Sequence, residues 1–174
     1  TISVAAGRFS QPQDNRDRVD APGIDPSKAD HLQLSFQHAN QKRTIRGEVY
    51  YKDYSDFATR ENMGLNAIGE GYARGFDVFY RERSLIKNAD FWLTYSFVDS
   101  KRRYNGFETE VRPNFAPQHN FSAVMKYWIA DLKSQVGGTF TWNSGQPYDS
   151  PNRAGEMESV SPDFASLSLN WSYL

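Results

Sequence analysis

Apolar and polar residues take turns along most of this chain, in a period-two pattern that recurs about eight times. Side chains of a β-strand point to opposite faces in succession, so each such stretch predicts a strand with one apolar and one polar face. Ile2, Val4 and Ala6 share a face of the first strand. In the second, Leu32, Leu34 and Phe36 lie opposite His31, Gln33, Ser35 and Gln37. Ile45, Gly47, Val49 and Tyr51 alternate with Arg46, Glu48, Tyr50 and Lys52 in the third, and Phe76, Val78 and Tyr80 oppose Gly75, Asp77 and Arg81 in the fourth. The fifth sets Phe91, Leu93, Tyr95 and Phe97 against Trp92, Thr94 and Ser96. The sixth sets Phe121, Ala123, Met125 and Tyr127 against Asn120, Ser122 and Lys126. Val136, Phe140 and Trp142 face away from Gln135, Thr139 and Thr141 in the seventh. In the eighth, Leu167, Leu169, Trp171 and Tyr173 face away from Ser166, Ser168, Asn170 and Ser172.

The connections alternate in length. Ala39 to Lys42, Arg83 to Ala89 and Ile129 to Leu132 are short; Phe9 to Lys28, Ser55 to Gly69, Ser100 to Pro117 and Asn143 to Pro162 are long. All eight prolines lie in three of these four long segments, which marks them as loops. In an up-and-down meander every second connection emerges at the same end, so all the long loops gather on one rim. Short turns on one side and long loops on the other are the organisation of a transmembrane β-barrel. Alternation by itself fits a water-soluble β-sandwich or lipocalin-like barrel as well. Two features weigh against those. The polar face carries Arg46, Glu48, Lys52, Asp77, Arg81 and Lys126 among Ser, Thr, Gln and Asn, as a wet lumen would. Aromatic residues also gather near strand ends (Tyr51, Tyr54, Trp142, Trp171, Tyr173), as interface girdles do.

Composition agrees. The chain of 174 residues has room for one core; it is 15% aromatic but only 39% hydrophobic, with a mean hydropathy of -0.72, which suits strands with a single apolar face. Its net charge of -1 favours no polyanionic partner, so nucleic acid is not expected. The absence of cysteine excludes disulfides, thiolate metal sites and a cysteine nucleophile. No apolar run approaches the roughly 20 residues of a spanning helix, so a membrane crossing would have to use strands. Thr1 begins directly in strand-like sequence, and any signal peptide is expected to have been removed or to lie outside these residues.

Little of the sequence has the spacing of a reactive site. Gly69-x-Gly71-x-x-Arg74-Gly75 nearly imitates a phosphate-cradling motif, but its third glycine is displaced and a strand follows where a helix is needed. Asp14, Asp17, Asp20 and Asp25 invite a calcium reading, yet Arg16, Arg18 and Lys28 are interleaved and the ligand spacing is missing, which favours a solvated mixed-charge loop. His31, His38 and His119 lack the spacing of a zinc motif. Ser166, Ser168 and Ser172 have no partner base in recognisable order. Glu48 and Asp77 could serve as acid and base, but Arg46, Lys52 and Arg81 nearby suggest ion pairing instead. Asn170-Trp-Ser matches a glycosylation sequon within a strand and is discounted. No catalytic residue, metal ligand or cofactor is assigned, and the expectation is that the protein is not an enzyme.

Specific strings add a resemblance. Gly71-Tyr-Ala-Arg-Gly-Phe-Asp-Val-Phe, Leu93-Thr-Tyr-Ser-Phe-Val-Asp-Ser-Lys-Arg-Arg, Arg112-Pro-Asn-Phe-Ala-Pro-Gln-His-Asn, Thr141-Trp-Asn-Ser-Gly-Gln-Pro-Tyr and Ser166-Leu-Ser-Leu-Asn-Trp-Ser-Tyr-Leu occur in order. From about Arg43 to Leu174 the chain resembles TonB-dependent outer-membrane receptors, particularly siderophore-type receptors common in Bacteroidota. The resemblance implies a barrel of about twenty-two strands around an amino-terminal plug, of which this chain supplies about eight. Residues 1–174 are thus expected to be a partial barrel domain from the later part of such a receptor, without plug, TonB box or closing strands, and ending in Tyr173-Leu174 where the family usually has an aromatic residue.

The resemblance also implies energised uptake across a bacterial outer membrane. The nutrient would be scarce, such as a ferric siderophore, cobalamin or a glycan. The expected partners are outer-membrane lipid, that small ligand, and the TonB complex acting through the plug. Arg60, Asn62, Arg102, Arg103, Tyr104, Trp142, Asn143 and Tyr148 are expected rim contacts, since basic and aromatic groups suit an anionic or planar ligand. Two rivals stay open: a self-contained eight-stranded barrel with a structural or adhesive role, and a soluble carbohydrate-binding sandwich. The first of these requires the first and last strands to pair with each other; the receptor reading requires that they do not.

Overall fold

The computed structural model describes every residue except 62, 63, 104–106, 108, 153–155 and 174. In chain order its elements are β1 (Ile2–Gln11), a one-and-a-half-turn helix α1 (Asn15–Asp20), β2 (Ser27–Ala39), β3 (Arg43–Glu61), β4 (Gly64–Glu82), β5 (Ala89–Arg102), β6 (His119–Ile129), β7 (Ser134–Asn143), β8 (Pro147–Tyr148), β9 (Ser159–Val160) and β10 (Phe164–Tyr173). Eight strands form one antiparallel sheet in the order β1-β2-β3-β4-β5-β6-β7-β10, every neighbour in space being a neighbour in sequence apart from the small β8-β9 ribbon in the last long connection. Strands β1 and β10 stand at opposite ends of this sheet and are not paired to each other. That removes the self-contained eight-stranded barrel.

The register places side chains in rows across the sheet. One row runs Val4, Leu34, Val49, Phe76, Phe97, and the next runs Ile2, Phe36, Gly47, Val78, Tyr95, Phe121. Between them, on the other face, lies Ser3, Ser35, Glu48, Asp77, Ser96, Asn120. All eight strands keep the face assignment expected from alternation. Among the described residues nothing covers the apolar face: Leu34 is 47% exposed, Val49 49% and Leu169 75%, whereas the buried apolar side chains are small or lie in loops, such as Ala58, Ala73, Ala89 and Val111. A sandwich would bury that face against a second sheet about 10 Å away. A single layer with one bare apolar face has instead the organisation of part of a transmembrane β-barrel wall.

Strand length departs from the sequence expectation. Crossing a bilayer takes about 9–11 residues of tilted strand, yet β3 and β4 each have 19. The segment from Ser55 to Gly69, expected as a loop, is mostly the outer half of this long hairpin. A bulge between Tyr54 and Phe57, with Asp56 at a φ of 63°, bends it. The reason is a change of solvent along the strand. Past the apolar band the same outward face carries Arg8 paired to Asp30 (2.7 Å), Arg74 paired to Asp99 (2.9 Å), and Asp53. The ladder continues, but its alternation no longer reads apolar outside and polar inside. For the same reason β1 runs to Gln11 rather than stopping at Ala6.

The short-turn end is pinned by side chains. Asn40 Oδ1 accepts the N–H groups of Lys42 (2.9 Å) and Arg43 (2.8 Å). Glu82, only 1% exposed, accepts from Arg43 Nε (2.7 Å), Tyr80 Oη (3.1 Å), Ser84 Oγ (2.6 Å) and the N–H groups of Arg83 (3.1 Å) and Ser84 (2.9 Å). One carboxylate thereby joins the β2-β3 turn to the β4-β5 turn.

If the apolar face meets lipid, Val49→Arg in the whole receptor should lower its stability in vesicles by roughly 2–4 kcal/mol when Val49 lies near the bilayer midplane. Gln33→Arg, on the other face of the neighbouring strand, should have little effect. Urea titration of folding into vesicles measures both; equal losses would contradict the assignment.

Candidate functional site

Beyond the band, at the long-loop end, the polar face carries the row Phe9, Ala29, Tyr54, Gly71, Arg102. Large and small residues alternate across it, and this shapes the surface. Ala29 is a low floor between Phe9 and Tyr54. Phe9 stacks at a tilt on His31 (centroids 4.6 Å apart), and Tyr54 on Phe57 (5.5 Å). Between these aromatic walls is an open cavity of about 600 Å3, lined also by Ser10, Gln11, Ser27, Lys28 and Arg102. Arg102 folds back across Gly71, where a Cβ would come within 2.9 Å of its Cγ and 2.4 Å of the Lys101 carbonyl. Its guanidinium then lies over three rings: Tyr54 at 4.4 Å, Phe115 at 5.3 Å and Phe57 at 5.4 Å.

Charge is unevenly neutralised here. Lys28 is paired with Asp56 (2.8 Å), and that hydrogen bond, with the carboxylate charge behind it, holds the ammonium pKa above the usual lysine value. Arg102 is in none of the ion pairs among the described residues, and its Nε is buried without a hydrogen-bond partner. Among the described residues the cleft therefore holds one cation, Arg102, without an ion-pair partner. Its outer wall is tied down by Gln13, a buried side chain whose amide donates to the carbonyls of Asp25 (2.9 Å) and Asp56. The acidic loop has structural partners too: Asp14 caps α1 by accepting from Arg16 N–H (3.0 Å), and Asp20 pairs with Arg60 (2.8 Å).

The expected rim residues fall into two groups. Arg60, Arg102 and Arg103 lie at the outer ends of β3 and β5, Arg103 donating to the Ile68 carbonyl (3.2 Å) and Glu70 (3.4 Å). Asn143 ends β7 on the polar face, opposite Asn120 and Phe164, while Tyr148 lies in β8 opposite Ser159. Trp142 is on the apolar face, 6.4 Å from the His119 ring. Asn62 and Tyr104 lie outside the described residues. Arg112 ties the loop after β5 to the one after β7, donating to Gln118 (3.1 Å) and to the Gly145 carbonyl (3.1 Å).

Sequence reasoning missed Phe9, Ala29, His31 and Phe57 as one site. It also placed Tyr54 in an interfacial girdle, whereas the register turns it to the polar face. The available signal was the inverted alternation itself, with Arg8 and Asp30 outward and Phe9 and Ala29 inward.

Deeper on the polar face, Glu48 stands directly opposite Asp77. The ion pairing expected with Arg46, Lys52 and Arg81 takes another form: Arg81 makes a two-pronged pair with Asp90, Arg46 lies over Phe79 (5.5 Å) and Lys52 over Tyr50 (5.2 Å). These contacts position charge on a wall; none presents a nucleophile beside a base.

Comparison with known proteins supplies the context for this geometry. Residues 3–173 match the family described as TonB dependent receptor-like, beta-barrel. No curated protein matches by sequence. Among solved structures, the FrpB iron transporter of Neisseria meningitidis (F5-1 variant, apoprotein form) superposes with a TM-score of 0.79 at 11% identity, covering 99% of this chain and 30% of that one. The siderophore receptor PiuA from Acinetobacter baumannii gives 0.77 at 12% identity, covering 99% and 27%. A copper transporter, OprC, gives 0.71 at 16% identity, covering 99% and 28%. The chain thus spans under a third of the length of each.

Because the Gln13 amide is the buried link between the β1-β2 loop and the β3 bulge, Gln13→Ala should cost about 1–3 kcal/mol locally by leaving two carbonyls unmet. Hydrogen exchange should speed up over residues 12–26 and 55–58 while Leu34, Val49, Phe76 and Val78 keep their protection. Unchanged exchange in both segments would show that Gln13 holds nothing.

Proposed function

The chain belongs to the TonB-dependent receptor β-barrel family, and from that membership we propose that it forms part of the outer-membrane wall of a receptor that imports a scarce nutrient, with a siderophore-type ferric chelate as cargo. The observation that carries this reading is the extent of the family match: it runs from 3 to 173 and takes in every strand of the sheet. Homologues in this family are transport receptors of Gram-negative outer membranes rather than enzymes.

In this reading the apolar face meets lipid, the polar face lines the lumen, and strands from the rest of the receptor pair with the open edges of β1 and β10, since lipid cannot hydrogen-bond an unpaired edge. A plug domain elsewhere in the receptor fills the lumen and takes the pull of the TonB complex. Arg60, Asn62, Arg102, Arg103, Tyr104, Trp142, Asn143 and Tyr148 contribute to the extracellular rim. A cationic, aromatic rim supports a chelate with anionic oxygens over a bare metal ion, because no cluster of three or more His, Cys, Asp or Glu able to hold a metal occurs among the described residues. The Bacteroidota-like motifs support a source in that group of bacteria.

Expression of the whole receptor in a Gram-negative strain stripped of its own iron receptors tests this. Growth on ferric chelates under iron limitation should be restored and should disappear when TonB is deleted. Restoration by no ferric chelate, or growth indifferent to TonB, would contradict the reading.

A further inference from the structure

We propose that the cleft between Phe9 and Tyr54 is a stacking slot for a flat aromatic group bearing an anionic oxygen, the part of the cargo that this chain recognises; the inference rests on the import reading and deepens it. Three observations converge on that chemistry. The first is width. Phe9 is on β1 and Tyr54 on β3, two strand spacings or about 9.5 Å apart at the backbone, with only Ala29 between them. A flat ring stacked on one wall at about 3.5 Å fits within such a gap.

The second is the surface of the walls. Phe9, His31, Tyr54 and Phe57 supply four rings to the lining, and aromatic surface suits offset or tilted contact with another ring. The third is charge. No carboxylate lines the cavity, Lys28 is already matched by Asp56, and Arg102 has no anionic partner among the described residues. An arriving carboxylate or phenolate would supply it. In the structure Arg102 is covered by Phe115, which is 60% exposed and would have to turn outward for the anion to enter. Arg102 thus passes from cation-π contact to a charge-assisted hydrogen bond, the stronger of the two interactions. A bare metal cation would find no carboxylate in this lining, and a neutral glycan would leave Arg102 without a counter-charge.

Titration of the whole receptor in detergent with benzoate, cyclohexanecarboxylate and benzyl alcohol tests the slot, with saturation-transfer NMR to identify the bound face. Benzoate should bind best, since cyclohexanecarboxylate lacks the flat ring and benzyl alcohol lacks the charge. Arg102→Gln, which removes the cation, and Ala29→Leu, which raises the floor, should each weaken benzoate roughly tenfold or more. Arg102→Lys should retain part of the affinity, and heat-modifiable migration in gels shows that each variant is folded. No benzoate binding to the folded receptor, no preference over cyclohexanecarboxylate, or unchanged affinity in both Arg102→Gln and Ala29→Leu would overturn the slot. Normal benzoate binding without restored iron-limited growth would leave the slot standing and remove the iron-uptake reading. Restored growth with benzoate insensitive to both substitutions would do the reverse.

Discussion

Inside hydrocarbon, no water can replace a lost peptide hydrogen bond, so every N–H and C=O of a spanning strand must be met by another strand. The rest of this structure depends on that requirement. It explains why the eight strands pair strictly with their neighbours, why each paired ladder is continuous through the apolar band, and why the bulge at Ser55 and Asp56 falls on the outer arm of the β3-β4 hairpin. It also fixes the faces. Once the register is set, Val4, Leu34, Val49 and Phe76 can only lie together, and Glu48 and Asp77 can only lie on the other side. The same requirement makes β1 and β10 incomplete as edges and motivates the larger barrel proposed above.

The ladder outlasts the apolar band, and that divides what could be read from sequence and what could not. Within the band, period-two alternation located all eight strands and assigned each face correctly, because there one face is consistently apolar and the other polar. Outside the band both faces of a strand meet water or other protein, so hydrophobicity no longer reports which way a side chain points. Arg8, Asp30 and Asp53 face outward there, while Phe9, Ala29 and Tyr54 face inward. A hydrophobicity reading therefore ends each strand at the membrane boundary and turns the outer half of the β3-β4 hairpin into a loop.

The candidate cleft lies in that unreadable zone. Its residues come from β1, β2, β3 and β5, separated by up to 93 positions between Phe9 and Arg102, and only the register brings them into one row. Arg102 was legible as a basic residue near the rim. Its lack of an ion-pair partner among the described residues was not, since Asp99 lies three positions away in the chain but is taken by Arg74, on the opposite face. The acidic loop shows the same limit from the other side: Asp14 and Asp20, expected in a solvated mixed-charge loop, prove to be a helix cap and an ion-pair partner once the loop is folded onto β3.

Immersion of one face of the sheet in lipid, with the other kept out of it, can be measured position by position. These 174 residues contain no cysteine, so single cysteines at 33–36, 47–50 and 76–78 can carry spin labels without interference from the rest of this chain. Collision rates with oxygen, which concentrates in lipid, and with a water-soluble nickel chelate then report the surroundings of each position in vesicles. Strict alternation is expected: oxygen-accessible at Leu34, Phe36, Val49, Phe76 and Val78, and shielded from oxygen at Ser35, Glu48 and Asp77. Equal oxygen accessibility on both faces, or nickel accessibility at Leu34 and Val49 as high as in solution, would contradict a lipid-immersed face.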